Sequence, residues 1–191
     1  TGLMESLARE NRFLFRKMKP VMSGGKPISS SRVRELLVQG KIEKAQACLG
    51  RPFSMFGKVV HGKGHGFHLG CPTANLEVHS EILLPLGVYI ASARFIPKVT
   101  VTHGDSHQGF GEWLPGVMNF GKRPTYPKAE TPHPVLELHL LDFKGQVYGE
   151  MMEIALHRFL RPEERFRTEE ALKVQIQRDV RAARGYYRKQ R

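Results

Sequence analysis

The chain is poor in cysteine, poor in acid and free of long apolar runs. Only Cys48 and Cys71 occur in 191 residues, too few for a disulfide scaffold and in keeping with a reducing compartment. No apolar stretch approaches the roughly 20 residues that a membrane helix needs. The opening Thr1-Gly2-Leu3, soon followed by Glu5, Arg9 and Glu10, lacks the pattern of a secretory signal. A cytoplasmic, membrane-free and monomeric protein is the expectation. With 40% apolar and 25% charged residues, the composition is that of a folded chain, long enough for one domain, or one domain plus a fragment.

Acid is the scarce charge: 18 Asp and Glu face 30 Lys and Arg, a net charge of +12. Such a balance invites a nucleic-acid partner, so its distribution matters. Residues 1–50 carry net +6, residues 51–160 only +1, and residues 161–191 net +5. The middle is nearly neutral and holds all nine histidines.

The period of the sequence changes after Arg51. Before it, residues from Met4 to Phe15 read as a short helix, and Ser23-Gly24-Gly25-Lys26-Pro27 breaks regular structure. Ser29-Ser30-Ser31 can cap a helix carrying Val33, Leu36 and Leu37 and stopped by Gly40; a second runs from Ile42 to Leu49 and stops at Gly50. Beyond it, Phe53–His61, Gly87–Ile96, Gly116–Phe120, Val135–Asp142 and Val147–Leu156 are rich in Val, Ile, Leu, Tyr and Phe and separated by Gly/Pro turns. Short strands without intervening helices indicate an antiparallel barrel or sandwich. In Val135–Asp142, Leu136, Leu138 and Leu140 alternate onto one face, so Glu137 and His139 project from the other. Past Arg161-Pro162, Thr168 can cap a terminal helix with the stripe Leu172, Ile176, Val180 and Ala183.

Several local patterns compete for chemical meaning. The loop His61–Gly70 has four glycines and Lys63, which suits backbone approach to a phosphate but equally a plain hairpin. It lacks GxGxxG spacing, which excludes a dinucleotide fold. Gly116-x4-Gly121-Lys122 imitates a P-loop, yet Arg123 and Pro124 stand where the metal-binding Ser/Thr should be; Asn119–Thr125 is read as a turn. His65, His68 and Cys71 lack a fourth ligand, and His103, Asp105 and His107 lie in a polar stretch, so zinc ranks low at both. Thr73 and Asn75, two apart on an extended segment, face the same way and offer hard oxygen ligands for Mg²⁺ carrying nucleotide phosphates. Glu137 is an ordinary exposed carboxylate if its face is solvent and a candidate general base if it borders a site.

Six segments in order sharpen this picture. They are Gly62-x-Gly64-x-Gly66-x3-Gly70-Cys71-Pro72-Thr73-Ala74-Asn75, Pro85-x-Gly87-Val88-Tyr89, Gly116-Val117-Met118-Asn119-Phe120-Gly121-x-Arg123-Pro124-Thr125, Leu136-Glu137-x-His139-Leu140-Leu141-Asp142-Phe143, Tyr148-Gly149 and Phe159-Leu160-Arg161. Together they resemble the riboflavin kinase family in its bacterial form, over about residues 51–188. Ile28-Ser29-Ser30-Ser31-Arg32-Val33-Arg34 is similar to the signature closing the adenylyltransferase module of bifunctional FAD synthetases. The first histidine is His61, so the His-x-Gly-His site of that module is missing and FMN adenylylation is not expected.

The resemblance implies a mainly β fold: a six-stranded antiparallel Greek-key barrel with a C-terminal helix and a short, mostly helical N-terminal segment. Residues 1–35 would be a remnant of the adenylyltransferase module, 36–50 a connecting helix, and 51–191 the kinase domain, with the barrel in 51–160. The implied reaction moves the ATP γ-phosphoryl group to the riboflavin 5′-hydroxyl, giving FMN and ADP, with Mg²⁺ or another divalent metal. Thr73 and Asn75 would hold the metal and phosphates. The segment containing Gly62, Lys63, Gly64, Gly66, Gly70 and Pro72 would close over the nucleotide, Glu137 would be the base, and Arg161 would sit in a mobile loop contacting flavin or phosphate. Two readings rank below this: a basic barrel binding nucleic acid, and the kinase part of a longer bifunctional FAD synthetase. The polar segment Val99–Glu112 departs from the family by its length.

Overall fold

Period-two alternation decides the core. In the computed structural model, which describes residues 2–62, 70–78, 84–97, 110–122 and 134–190, Leu136, Leu138 and Leu140 point inward from one strand. They meet Leu76, Tyr89, Met118, Phe120, Met152, Ile154 and Leu156 from the others. The elements run α1 (Gly2–Glu10), β1 (Met22–Ser23), β2 (Lys26–Pro27), α2 (Ser30–Val38), α3 (Ile42–Leu49), β3 (Phe53–Val60), β4 (Ala74–Val78), β5 (Gly87–Phe95), β6 (Leu114–Lys122), β7 (Pro134–Leu140), β8 (Met151–Pro162) and α4 (Glu169–Arg188).

Strands β3 to β8 close into a six-stranded barrel in the order β3-β4-β7-β6-β5-β8, every pair antiparallel. The run β8-β5-β6-β7 places the fourth strand in sequence beside the first, which is the Greek key. The expected fold class therefore holds. Closure leaves no free sheet edge, and the interior is filled by side chains. Leu37, Ile42 and Ala45 of α2 and α3 join that interior, and Gln46 Nε2 donates to the Leu156 carbonyl at 2.6 Å. The two helices thus plug one end of the barrel.

Local departures from the sequence reading have physical causes. The glycine-rich break at 23–27 is a hairpin: Gly24 and Gly25 both take positive φ, at 54° and 72°, as a type I′ turn requires, and Met22 pairs with Pro27. The first helix ends at Glu10 rather than Phe15, where Arg12 turns to a φ of 54°. Residues 74–78 form a strand that the sequence had shown only as an extended segment. Asn119–Lys122 continue β6 instead of turning. The last strand starts at Met151, not Val147, because Gly149 at φ 79° interrupts it. It then runs to Pro162, with register shifts against β5 between Ile90 and Ala91 and between Val88 and Tyr89. Arg161 consequently lies in a strand, not in the loop expected for it.

Helix α4 lies across the outside of β5 and β6. Thr168 caps it as expected, its hydroxyl accepting from the Ala171 N–H at 3.2 Å. Val180 and Ala183 of the foreseen stripe pack on Val88, Ile90, Val117 and Leu141, together with Tyr186 and Tyr187. The Tyr187 hydroxyl donates to the Ala91 carbonyl at 2.7 Å. His157 occupies the extra position of the first bulge, where such irregularities re-aim a side chain. Its ring meets Ser92 Oγ at 2.9 Å and packs against Tyr186 and Tyr187.

Burial lowers the pKa of His157 below its ordinary value of 6.5. An unfolded chain takes up that proton near 6.5, so this group makes stability fall as pH drops from about 7 toward the folded value and adds no slope above it. His157→Gln should flatten the dependence of Tm on pH between about 7.5 and 5.5. The check is thermal unfolding at several pH values, and an unaltered slope would assign the effect to another group.

Candidate active site on the outer face of the barrel

A filled interior leaves the outer face for chemistry. There the register lines up one row of residues across the sheet. Asn75 on β4 pairs with Glu137 on β7, and Glu137 pairs in turn with Asn119 on β6. The row continues through Val88 on β5 to Arg161 on β8. Neighbouring strands are about 4.8 Å apart, so the Glu137 carboxylate has a carboxamide side chain on each side at roughly that spacing. Asn75 is only 9% exposed; Glu137 and Asn119 are half-buried. The inward leucines on either side of Glu137 force this arrangement.

Thr73 precedes β4 and is half-buried. Since Ala74 and Leu76 point into the core, Thr73 and Asn75 share the outer face, as their spacing had indicated. The backbone of Gly62 passes so close to Asn75 that a Cβ at that position would overlap the carboxamide. Gly70 takes a φ of 74° and Pro72 is exposed. Lys63, Gly64 and Gly66, His65 and His68, Arg123, Pro124 and Thr125, and the segment with His103, Asp105 and His107 all lie outside the described residues.

The end of β8, the loop 163–168 and the first half of α4 border the row. Arg161 does not point at open space: its guanidinium donates to both carboxylate oxygens of Asp179, at 2.8–3.1 Å. Side-chain exposures of 16% and 9% make this a substantially buried pair. Removing one partner of such a pair costs about 3–5 kcal/mol, because the other charge stays behind. The pair fixes the middle of α4 to the end of β8, and Arg184 with Asp142 adds a second, exposed bond at 2.7 Å. Further along, burial pushes the Cys71 thiol pKa up while the Lys173 ammonium opposes that shift. Lys173 of the helix is therefore near enough to the segment that carries Thr73 and Asn75 to act on it electrostatically.

Asn119, His139 and Asp179 are the residues near this site to which the sequence reading gave no role. The signal for His139 was present, since it alternates with Glu137; its ring Nδ1 lies 2.8 Å from the Pro72 carbonyl. Asn119 was hidden by reading its segment as a turn. Asp179 could not be found, because a lone acid on a basic helix gives no hint of its partner.

A second concavity stands apart from the row. About 480 Å³ in volume, it is lined by Arg51, Ser54, Ser92, Trp113, Pro115 and Tyr187 among others. On β6, Pro115 and Asn119 are four residues apart, roughly 13 Å. Its Arg94 guanidinium lies over the Phe110 and Trp113 rings, 4.0 and 4.5 Å from their centroids, and is bonded to Glu153 at 2.7 Å. Burial would raise the Glu153 pKa, but hydrogen bonds from Ser54 and Arg94 and the charges of Arg94 and Arg51 outweigh it and hold the group low.

A carboxylate flanked by carboxamides, next to a threonine hydroxyl and a glycine-lined backbone, suits a site that orients a hydroxyl group and a polyanion. Among the described residues no group of three or more His, Cys, Asp or Glu could hold a metal by itself. Comparison with known proteins agrees with this class. The family model for flavokinase, riboflavin kinase, matches residues 49–187, and the chain belongs to the riboflavin kinase family. A bifunctional riboflavin kinase/FMN adenylyltransferase of Haemophilus influenzae is 31% identical over 186 residues, covering 97% of this chain and 55% of that protein. A protein of the same description from Pseudomonas fluorescens is 38% identical over 161 residues, covering 84% and 47%. The chain thus spans about half the length of the curated relatives it matches. A solved structure described as a macrolide-efflux protein from Streptococcus pneumoniae superposes with a TM-score of 0.72 at 26% identity, over 87% of this chain and 50% of that one.

Gly62→Ala should displace the Asn75 carboxamide and leave the barrel intact. The expected result is a Tm within about 4 °C of the unsubstituted chain with the Asn75 side-chain amide resonances shifted in an NMR spectrum. Unmoved Asn75 resonances would show that Gly62 does not confine that side chain.

Proposed function

We propose that this chain is a riboflavin kinase acting in the cytoplasm as a monomer, converting ATP and riboflavin to ADP and FMN. The observation that carries the reading is the register-aligned row of Asn75, Glu137 and Asn119 beside Thr73. The two unpaired cysteines support the compartment, and no described helix is long and apolar enough to cross a membrane.

Phosphoryl transfer needs little covalent help from a protein; it needs in-line positioning and charge stabilisation. Glu137 accepts the proton of the ribityl 5′-hydroxyl as that oxygen attacks the γ-phosphorus, and ADP departs on the opposite side. Thr73 and Asn75 would supply hydroxyl and amide oxygens to a divalent ion. This small donor set fits Mg²⁺, which takes its remaining ligands from phosphates and water. Bound there, the ion would neutralise charge on the β- and γ-phosphoryl oxygens. Gly62, Lys63, Gly64, Gly66, Gly70 and Pro72 form the segment assigned to cover the nucleotide. Arg161 could touch flavin or phosphate only by leaving Asp179, so its first role is to hold α4 beside the site.

The proposal concerns the kinase reaction, since the riboflavin kinase family model matches residues 49–187. Incubation with riboflavin and Mg·ATP should give FMN, and failure to form it would overturn the kinase reading. Glu137→Gln should lower kcat by about 10²-fold or more, and near-normal turnover would remove Glu137 from the mechanism. Asn75→Ala should raise KM for Mg·ATP far more than KM for riboflavin; equal changes in both would point to a general loss of structure.

A further inference from the structure

The ladder between β4 and β7 ends at an unusual place. Ala74 pairs with Leu138, Asn75 with Glu137 and Leu76 with Leu136, and Ala74–Leu138 is the last pair before Thr73. Continuing the ladder would bring Pro72 into it, and proline has no N–H to donate. The Pro72 carbonyl is met instead by a side chain: His139 Nδ1 lies 2.8 Å from it. A carbonyl oxygen only accepts, so the ring must donate from Nδ1.

The bond has a geometric consequence. The Pro72 carbonyl belongs to the same planar peptide group as the Thr73 nitrogen. Holding that oxygen fixes the plane from which Thr73 departs, and the next residue but one is Asn75. His139 stands two residues beyond Glu137 on the same face of the same strand, about 6.8 Å along it. One ring therefore ties the Thr73–Asn75 segment to the strand that carries the carboxylate, at the point where backbone pairing stops.

We propose that His139 is a positioning residue for phosphoryl transfer: its Nδ1–H, donated to the Pro72 carbonyl, sets the spacing between the Thr73–Asn75 segment and Glu137. The role rests on the kinase reading of those three residues. It does not require His139 to touch either substrate. Misplacing reacting groups by about 1 Å can cost on the order of 10²-fold in rate, so releasing this tether should show in the nucleotide half of the reaction.

The test compares His139→Ala with His139→Asn, whose side-chain N–H₂ sits near the position of the ring Nδ1–H. Both would be assayed for FMN formation with Mg·ATP and riboflavin varied separately, alongside thermal unfolding. His139→Ala should raise KM for Mg·ATP and lower kcat, each by about tenfold, with KM for riboflavin within about twofold and Tm nearly unaltered. His139→Asn should recover most of the loss. Unchanged Mg·ATP kinetics in His139→Ala, an equal rise in both KM values, or no recovery in His139→Asn would each overturn the positioning role while leaving the kinase reading standing. No FMN from the unsubstituted chain would overturn both.

Discussion

A closed barrel whose interior is filled by leucine, isoleucine, methionine and aromatic side chains has no room inside for polar chemistry. Any functional group carried by a strand must therefore ride on the outward half of its alternation. This constraint organises the rest of the structure. Leu136 and Leu138 are at most 1% exposed, and truncating such a residue typically costs about 2–5 kcal/mol out of a total stability of about 5–15 kcal/mol. Inward leucines thus hold Glu137 outward more firmly than any interaction of its own could. The same pleat places Asn75 and Asn119 beside it, one strand away on each side. Precision at the site is inherited from packing on the opposite face.

An outer-face site needs a border, and here the basic C-terminal helix helps to supply it. The C-terminal helix is fastened to the barrel by an apolar contact around Ala183 and by carboxylates matched to individual arginines: Asp179 to Arg161 and Asp142 to Arg184. On the barrel itself Glu153 engages Arg94, and at its plugged end Glu43 engages Arg158. Several of the arginines that suggest a polyanion partner are thereby committed within the fold. Each pair removes an acid along with its arginine, so the net excess of +12 is untouched, yet the arginines nearest the site are structural and net charge alone said little about the ligand.

How much could be read in advance followed from how local the determinant was. Strand alternation is local, so an antiparallel sheet, the outward aim of Glu137 and the shared face of Thr73 and Asn75 were legible, whereas closure into a barrel rather than a sandwich was implied by the family likeness. Caps are local too: the Ser29-Ser30-Ser31 cluster supplies one, through the Ser29 hydroxyl accepting from the Arg32 N–H, and Thr168 supplies the other. Strand ends were less legible, because they depend on cross-strand partners: β8 outruns its apolar pattern by tolerating bulges at His157 and Leu160, and β6 continues through Asn119 toward Lys122. The Arg161–Asp179 pair was invisible, since no sequence pattern links a strand end to the middle of a helix 18 residues on. Family likeness supplied a role for Arg161 but not its surroundings.

The plug at the end of the barrel bears on how the chain is made. Gln46 reaches a carbonyl 110 residues further along, and the seam that closes the barrel joins Phe53 to Leu156. Synthesis therefore delivers the plug and the first strand long before the strand that completes them. Leu37, Ile42 and Ala45 must wait without their full core until β8 (Met151–Pro162), more than a hundred residues further on, has emerged. Contacts of such long sequence separation require a large loop to close before they repay its entropy. The nascent protein is thus dependent on its last strand, and the interval before β8 arrives is when its apolar plug is most open to unwanted partners.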